Sequence, residues 1–161
     1  MINKIYIIIF LTLFNFSLIE NVKADEQFNF DVTEIEILEN GNLFRGIKRG
    51  TITSNTGVII NANYFEYNKP LNQLKAEGDV RVIDSKNNYE IISDNILYLK
   101  DQETIEARGN SKAINREMTI FGEIFEYNKN TNILKAKRQV KIFDQVDNIS
   151  IFSEDVTYKQ N

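Results

Sequence analysis

The chain has 161 residues, of which 19 are basic and 23 are acidic, so its formal net charge at pH 7 is −4. It contains no histidine, cysteine or tryptophan. These absences exclude Cys/His metal sites, Ser-His catalytic triads and a disulfide framework, and the acidic balance disfavours a nucleic-acid-binding protein. We therefore expect neither a metal nor a cofactor.

The first 24 residues form a segment of their own. Lys4 precedes the apolar stretch Ile5–Ile19, and small residues follow at the −3 and −1 positions of a cleavage site. This layout predicts a secretory signal peptide over residues 1–24, cleaved after Ala24, followed by one domain over residues 25–161. A membrane span needs about 20 apolar residues, so a retained anchor is the weaker alternative.

The domain begins with a divergent strand pair, predicted over Phe28–Ser54. Alternate positions in this segment are apolar or small, which is typical of half-buried β-strands. These positions are Phe28, Phe30, Ile35, Ile37, Phe44, Gly46 and Ile52.

Further units follow at a spacing of about 30 residues, which indicates a repeated supersecondary unit. Each full unit reads as two strands joined by a polar turn. The units are Val58–Asp84, Tyr89–Asn115, Met118–Asp144 and the half unit Ile149–Asn161. A tyrosine stands near the end of each first strand: Tyr67, Tyr98, Tyr127 and Tyr158. We interpret these tyrosines as structural markers of the strand ends rather than as ligand contacts.

Two apolar columns flank a small residue in each first strand. The first column is Ile60, Ile91, Ile120 and Ile151, the small residues are Ala62, Ser93, Gly122 and Ser153, and the second column is Phe65, Ile96, Phe125 and Val156. Because the second column comes three residues after the small one, the inward-facing parity changes between them. A β-bulge or corner at the small residue would keep both columns on the inner face. The pattern predicts an all-β sandwich, jelly roll or solenoid, with no helix in the domain.

The inner columns mix bulky isoleucine and phenylalanine with alanine, serine and glycine. The residue pattern alone favours a close-packed core in which small residues face large ones. The alternative is a pair of sheets that stand apart and enclose an apolar trough.

Charged residues lie mainly at outward strand positions or strand ends. The carboxylates Glu66, Glu77, Asp79, Asp94, Glu123 and Glu154 alternate with apolar residues, as on a solvated face. We therefore predict that the protein is not an enzyme. The basic clusters are Arg45, Lys48 and Arg49 in the first unit and Lys135, Lys137, Arg138 and Lys141 in the fourth. Two interpretations of these clusters are open. The clusters would contact anionic groups such as lipid phosphates or, as the pattern favours, protect exposed edge strands from unwanted pairing.

The repeated sequence resembles the unit of the OstA-like family. Residues 62–67 (Ala-Asn-Tyr-Phe-Glu-Tyr) followed by residues 74–80 (Leu-Lys-Ala-Glu-Gly-Asp-Val) are similar to the family pattern Ala-Asp-x-Φ-x-Tyr and Ala-x-Gly-Asn-Val. Residues 93–98 with 105–110 fit it more closely. The family comprises the periplasmic lipopolysaccharide-transport protein LptA and the N-terminal domain of its outer-membrane partner LptD, and LptC shares the fold. The resemblance covers essentially all of Phe28–Asn161.

By this resemblance the fold would be an open β-jelly roll, or β-taco, and the protein a non-enzymatic carrier of lipopolysaccharide in the periplasm. The inner columns would then contact acyl chains, which reverses the preference for a closed core. The implied lipid-binding residues are Ile60, Phe65, Ile91, Ile96, Ile120, Phe125, Ile151 and Val156. The resemblance also implies end-to-end stacking with LptC-like and LptD-like jelly rolls, and self-association, through open edge strands.

Two departures from the family pattern affect single units. Arg138 and Gln139 stand where other units have glycine and a polar residue, and the first unit reads Asp31-Val32-Thr33 in place of the Ala-Asp signature. The alternative functions are an exported structural or adhesive β-solenoid without lipid cargo, a truncated LptD N-terminal domain acting in outer-membrane assembly, and an exported carbohydrate-processing enzyme. A retained amino-terminal segment would instead indicate an anchored, LptC-like component.

Overall fold

The structure is a computed structural model that describes residues 28–159. The predicted signal peptide over residues 1–24 lies outside the described residues. In the described part of the chain, no helix is long and apolar enough to cross a membrane. Residues 28–159 form a single antiparallel sheet whose strands follow one another in chain order.

Nine strands make up the sheet of residues 28–159, and each pairs with its neighbours in sequence. They are β1 Phe28–Leu38, β2 Leu43–Ser54, β3 Val58–Asn68, β4 Gln73–Asp84, β5 Tyr89–Leu99, β6 Thr104–Ile114, β7 Met118–Asn128, β8 Ile133–Asp144 and β9 Ile149–Lys159. Each full predicted unit is one hairpin, so the strand-pair prediction is confirmed. Single 3₁₀ turns, Glu39–Gly41 and Lys100–Gln102, occupy two of the connections, where the sequence predicted no helix.

Every strand pair carries a β-bulge near the middle of its strands. In β4, residues 77–79 separate the buried side chains of Ala76 and Val80, whereas in β5 only two residues separate those of Ser93 and Ile96. The extra residue in one strand of each pair bends the sheet along this line. The bend lies at the small residue of β3, β5, β7 and β9, which confirms the predicted corner.

The corner requires a left-handed backbone in β6. Gly109 has a φ of +84°, in a region where a side chain costs about 1–2 kcal/mol. A Cβ atom added there would lie 2.5 Å from a carboxylate oxygen of Asp94 on β5, so the glycine also permits a close approach of the two strands. Asn110 Nδ2 donates a hydrogen bond of 2.8 Å to Asp94, and the Ser93 hydroxyl donates one of 3.1 Å to the Gly109 carbonyl. Short polar side chains thus close the corner.

The corner between β7 and β8 has a similar backbone, but no glycine stands at its left-handed position in β8. Arg138 has a φ of 65°, in the same left-handed region as Gly109. The neighbouring strand places Glu123 where β5 has Asp94, and this longer carboxylate lies 3.7 Å from the Arg138 guanidinium. The departure from the repeat pattern therefore changes the side chains at the corner and leaves the bulge in place.

The bend brings the two ends of the strands together. An 11-residue strand spans roughly 35 Å when straight. Yet the ring centroids of Tyr127, near the end of β7, and Tyr89, at the start of β5, are 4.9 Å apart. The sheet is therefore folded over, and its inner face forms a core that runs from Ile52 on β2 to Val140 on β8. Since β1 and β9 do not pair with each other, the architecture is an open β-jelly roll, as the resemblance implied.

Candidate functional site

The predicted lipid-binding residues all lie on the inner face of the folded sheet. Six of them belong to the hydrophobic core and are at most 2% exposed: Ile60, Phe65, Ile91, Ile96, Ile120 and Phe125. On β9, Ile151 is 51% exposed, and Val156 is partly buried against the core. The centre of the lining is thus packed side chain against side chain, and its contact with lipid stays a prediction.

The apolar inner face continues to both ends of the sheet and is exposed there. Ile35 and Ile37 on β1 are 45% and 60% exposed, and Ile149 and Ile151 on β9 are each 51% exposed. Within residues 28–159, the outer edges of β1 and β9 have no strand partner. An unpaired edge of this kind can be extended by a strand of another chain.

The strand ends and the turns between them form two long edges of the sheet, which are distinct from the free sides of β1 and β9. Folding of the sheet brings these two long edges together along a line that we call the seam. One edge carries the tyrosine-bearing strand ends, and the other carries the turns at residues 55–57, 85–88 and 115–117. The contacts across the seam include the Tyr89–Tyr127 ring stack, a 3.2 Å hydrogen bond from Asn115 Nδ2 to the Tyr158 hydroxyl, a 3.4 Å hydrogen bond from Lys129 Nζ to Thr56 Oγ1, and contacts of the Phe28 ring with Tyr67 and Tyr98. The tyrosines therefore help to close the fold as well as mark the strand ends.

Lys129 is almost enclosed at the seam. Its side chain is 9% exposed, and Nζ lies 2.9 Å from Glu103 Oε2 and 3.1 Å from the Tyr98 hydroxyl. Glu103 and Tyr98 belong to the same long edge as Lys129, whereas Thr56 belongs to the opposite edge. One ammonium group thus links the two edges.

Lys129 is not among the residues predicted from the sequence, although the repeat contains a signal for it. A lysine follows the tyrosine by two residues in three units, at Lys69, Lys100 and Lys129. The backbone N–H of each donates to a carbonyl of the preceding turn on the same edge. The recurrence of the lysine at this offset would have indicated a shared structural position.

Burial raises the pKa values of Tyr89 and Tyr127 well above the ordinary value of 10.0. The Tyr158 phenol adds to the rise in the pKa of Tyr89, and the Asp84 carboxylate adds to the rise in the pKa of Tyr127. Both phenols are therefore neutral at physiological pH. The Tyr127 hydroxyl donates a 3.0 Å hydrogen bond to Asn132 Oδ1, so this part of the seam is held by ring packing and uncharged hydrogen bonds.

Many charges of the outer face form ion pairs between neighbouring strands. These pairs are Arg45–Glu66, Lys48–Glu34, Arg81–Glu90, Lys135–Glu126 and Arg138–Glu123. The hydrogen bond from Arg45 holds the pKa of Glu66 below its usual value. The two basic clusters lie on β2 and β8, which are interior strands. The edge-protection interpretation is therefore wrong, because neither strand has a free edge to protect.

Among residues 28–159, no group of three or more possible metal ligands lies close enough to hold a metal ion. A depression of about 530 Å³ opens beside the seam near β9, with Asn115, Met118 and Tyr158 in its lining. It carries none of the predicted lipid-binding residues.

No family model matches the chain, and no curated protein matches it. A solved structure does match: the crystal structure of LptH from Pseudomonas aeruginosa, described as the LptA homologous periplasmic component of the conserved lipopolysaccharide transport device. The TM-score is 0.63 at 12% sequence identity, and the match covers 84% of this chain and 96% of LptH. At this identity the similarity shows the fold alone. The chain therefore has the LptA-like fold, the open β-jelly roll of the OstA-like proteins.

Proposed function

We propose that the chain is a periplasmic carrier that binds lipopolysaccharide by its acyl chains, between the halves of the folded sheet, and passes it toward the outer membrane without catalysis. The observation that carries the proposal is the apolar inner face, which runs through the sheet and is exposed at Ile35 and Ile37 on β1 and at Ile149 and Ile151 on β9. Such a face lets acyl chains pass between components without entering water. LptH, which has the same fold, is a component of a lipopolysaccharide transport device.

Acyl chains can reach the central lining only where the two halves of the sheet part. Opening the seam near β5 to β9 removes the Tyr89–Tyr127 ring stack, about 1 kcal/mol, and the hydrogen bonds that Asn115 and Lys129 donate, about 1 kcal/mol each. Transfer of one methylene group from water into an apolar site contributes about 0.8 kcal/mol. Relative to an acyl chain in water, roughly four methylene groups offset the loss of these seam contacts.

The predicted signal peptide would place the chain in the periplasm. The unpaired edges of β1 and β9 suit end-to-end assembly with LptC-like and LptD-like jelly rolls by strand addition, and copies of this chain can associate through the same edges. In such an assembly the inner linings of successive domains form one path for acyl chains.

Photo-crosslinking with matched neighbouring positions tests the proposal. A photo-reactive amino acid is placed at the inward positions Ile91, Ile96 and Phe125 and, as controls, at the adjacent outward positions Ile92, Leu97 and Ile124. In cells that make lipopolysaccharide, we expect lipid adducts from the inward set and few from the outward set. Adducts to protein alone from every inward position would contradict lipid carriage. Amino-terminal sequencing of the exported protein tests the signal-peptide prediction, and we expect Asp25 as the first residue.

A second candidate, an exported structural or adhesive protein without lipid cargo, is favoured by one observation. The central lining is packed, and Phe65 and Phe125 are 0% exposed. This candidate predicts that protein purified without detergent from lipopolysaccharide-producing cells contains no bound lipid. Native mass spectrometry separates the two candidates, because a carrier retains a population with the mass of the glycolipid added.

A further inference from the structure

Both terminal strands of the sheet carry acidic outer faces, and the strand behind each of them is basic. β1 contains Asp31, Glu34 and Glu36 and no lysine or arginine. β9 contains Glu154 and Asp155, with a single lysine at its end. The adjoining strands β2 and β8 hold the two basic clusters that the sequence displays. Charge of opposite sign therefore stands on the last two strands at either end of the sheet.

The basic clusters compensate these acids from one side only. Lys48 on β2 forms a 3.2 Å ion pair with Glu34 on β1, and Lys137 on β8 is the cross-strand partner of Asp155 on β9. On the other side, β1 and β9 have no neighbouring strand within residues 28–159. A strand that is added to either edge would therefore meet acidic side chains directly, with the basic clusters one strand further away.

The register of the sheet defines what a second copy of the chain would place beside β9. Both β1 and β9 run from the long edge with the turns to the long edge with the tyrosines, so a copy whose corner continues the bend adds its β1 parallel to β9. One row of cross-strand partners leads from Glu34 on β1 to Asp155 on β9, and the inner row beside it leads from Ile35 to Val156. The Glu34 of a second copy would thus stand beside Asp155.

The two faces of such a junction differ in how selective they are. On the inner face Ile35 would stand beside Val156, and any apolar edge strand would continue the lining equally well. On the outer face the carboxylates of Glu34 and Asp155 would stand directly opposite each other, which destabilises a strand pair. Glu36, two residues from Glu34, and Glu154, next to Asp155, add charge of the same sign. A strand with lysine or arginine at these positions would meet opposite charge instead.

We propose that the acidic outer faces of β1 and β9 select an edge strand of a different protein, one with apolar side chains on its inner face and lysine or arginine on its outer face. A second copy can supply the same backbone hydrogen bonds, but its acids make it the weaker partner. Charge patterns discriminate in this way between partners that share one mode of binding. The inference rests on the strand addition of the proposed function and does not depend on lipid carriage.

A charge-swap cycle in the full chain tests the proposal, with the chain as its own probe. E154K/D155K gives β9 a basic outer face and leaves β1 acidic, and E34K/E36K does the reverse. Each of these single-edge variants should associate end to end about 25-fold more tightly than wild type, since two like-charge contacts become opposite-charge contacts and each change contributes about fivefold. The quadruple variant E34K/E36K/E154K/D155K, in which both strands are basic, should return to the wild-type affinity. Sedimentation velocity measures the four affinities.

Cysteines introduced together at positions 35 and 156 report the junction itself. The chain has no other cysteine, so a short bifunctional crosslinker joins copies only where β1 of one copy lies beside β9 of the next. Association through residues 1–24 therefore does not imitate the signal. D101K/E117K is the matched control, because it changes the net charge by the same amount in the connections β5–β6 and β6–β7 of the interior strands, and it should crosslink no more than wild type. The two single-edge variants are independent of each other, so either one suffices if the other does not fold.

The proposal is overturned if wild type crosslinks between positions 35 and 156 as strongly as the single-edge variants, because a second copy is then an equally good partner. It is also overturned if neither folded single-edge variant crosslinks, because the acids then only protect the edges, or if the control variant crosslinks as they do, because net charge is then responsible. None of these results changes the lipid adducts expected at the inward positions Ile91, Ile96 and Phe125. Failure of this inference is therefore distinguishable from failure of the carrier function.

Discussion

Replacement of Gly109 by alanine should weaken the fold more than loss of an ordinary turn glycine. At a φ of +84° a side chain costs about 1–2 kcal/mol. The added Cβ atom would also lie 2.5 Å from Asp94 Oδ2, so the carboxylate must move. Its hydrogen bond from Asn110 is then lost, which costs about 1 kcal/mol more. We expect the free energy of unfolding to fall by about 2–3 kcal/mol in total.

Gly57→Ala is the matched control for this prediction. Gly57 has the same φ of +84°, in the turn between β2 and β3, and an added Cβ atom meets nothing within 4 Å. It therefore reports backbone strain alone, about 1–2 kcal/mol. Urea unfolding followed by circular dichroism measures both variants. Asp94→Ala alone should cost about 1 kcal/mol, and in the Gly109→Ala background it should cost almost nothing further, because its hydrogen bond from Asn110 is already lost. Equal losses for the two glycine variants, or an undiminished cost of Asp94→Ala in the Gly109→Ala background, would refute the close-approach argument.

Further predictions concern the seam and the lining. Because the folded-state pKa values of Tyr89 and Tyr127 are raised, the stability that they contribute is complete below about pH 10 and falls above it by about 1.4 kcal/mol per pH unit for each tyrosine. Urea unfolding in alkaline buffers measures this slope, and Tyr127→Phe should reduce it by one tyrosine's share. A reducible bifunctional crosslinker between cysteines at positions 56 and 129 should suppress lipopolysaccharide crosslinking to the inner face until the crosslinker is reduced; undiminished crosslinking would indicate entry through the ends. Phe125→Ala removes a ring that is 0% exposed. It should lower the free energy of unfolding by about 3–5 kcal/mol, which thermal unfolding detects as a lower midpoint. A loss of free energy below about 1 kcal/mol would contradict a packed lining.

The hairpins and the corner were predictable from the sequence. The unit Val58–Asp84 matches the start of β3 and the end of β4 to the residue, because each hairpin buries one face and the alternation therefore reports its length. The three-residue offset from Ala62 to Phe65 required a bulge, since both side chains must face inward. The β7–β8 corner keeps this bulge with Arg138 at the left-handed position, so the bulge does not require a glycine at that position.

The exposure of the site was not predictable, because it depends on neighbours that a repeat pattern does not identify. Ile120 and Ile151 occupy the same place in the repeat, yet Ile120 is 1% and Ile151 is 51% exposed. The difference arises because β9 is the last strand of the sheet and nothing covers its inner side within the described residues. The contact between Lys129 and Thr56 was hidden for a related reason. It depends on how one half of the sheet is rotated over the other, which strand alternation does not record.

The seam joins residues that are far apart in the chain. Asn115 and Tyr158 are separated by 43 residues, and Lys129 and Thr56 by 73, whereas strand pairing links sequence neighbours throughout the sheet. Distant contacts require a larger loss of chain entropy, so we expect the hairpins to assemble first and the seam to close in a late, collective step. In a simple array each repeat depends on its immediate neighbours. Here the ring of Phe28 on β1 contacts Tyr98 on β5, so damage to the first hairpin should be transmitted directly to the third.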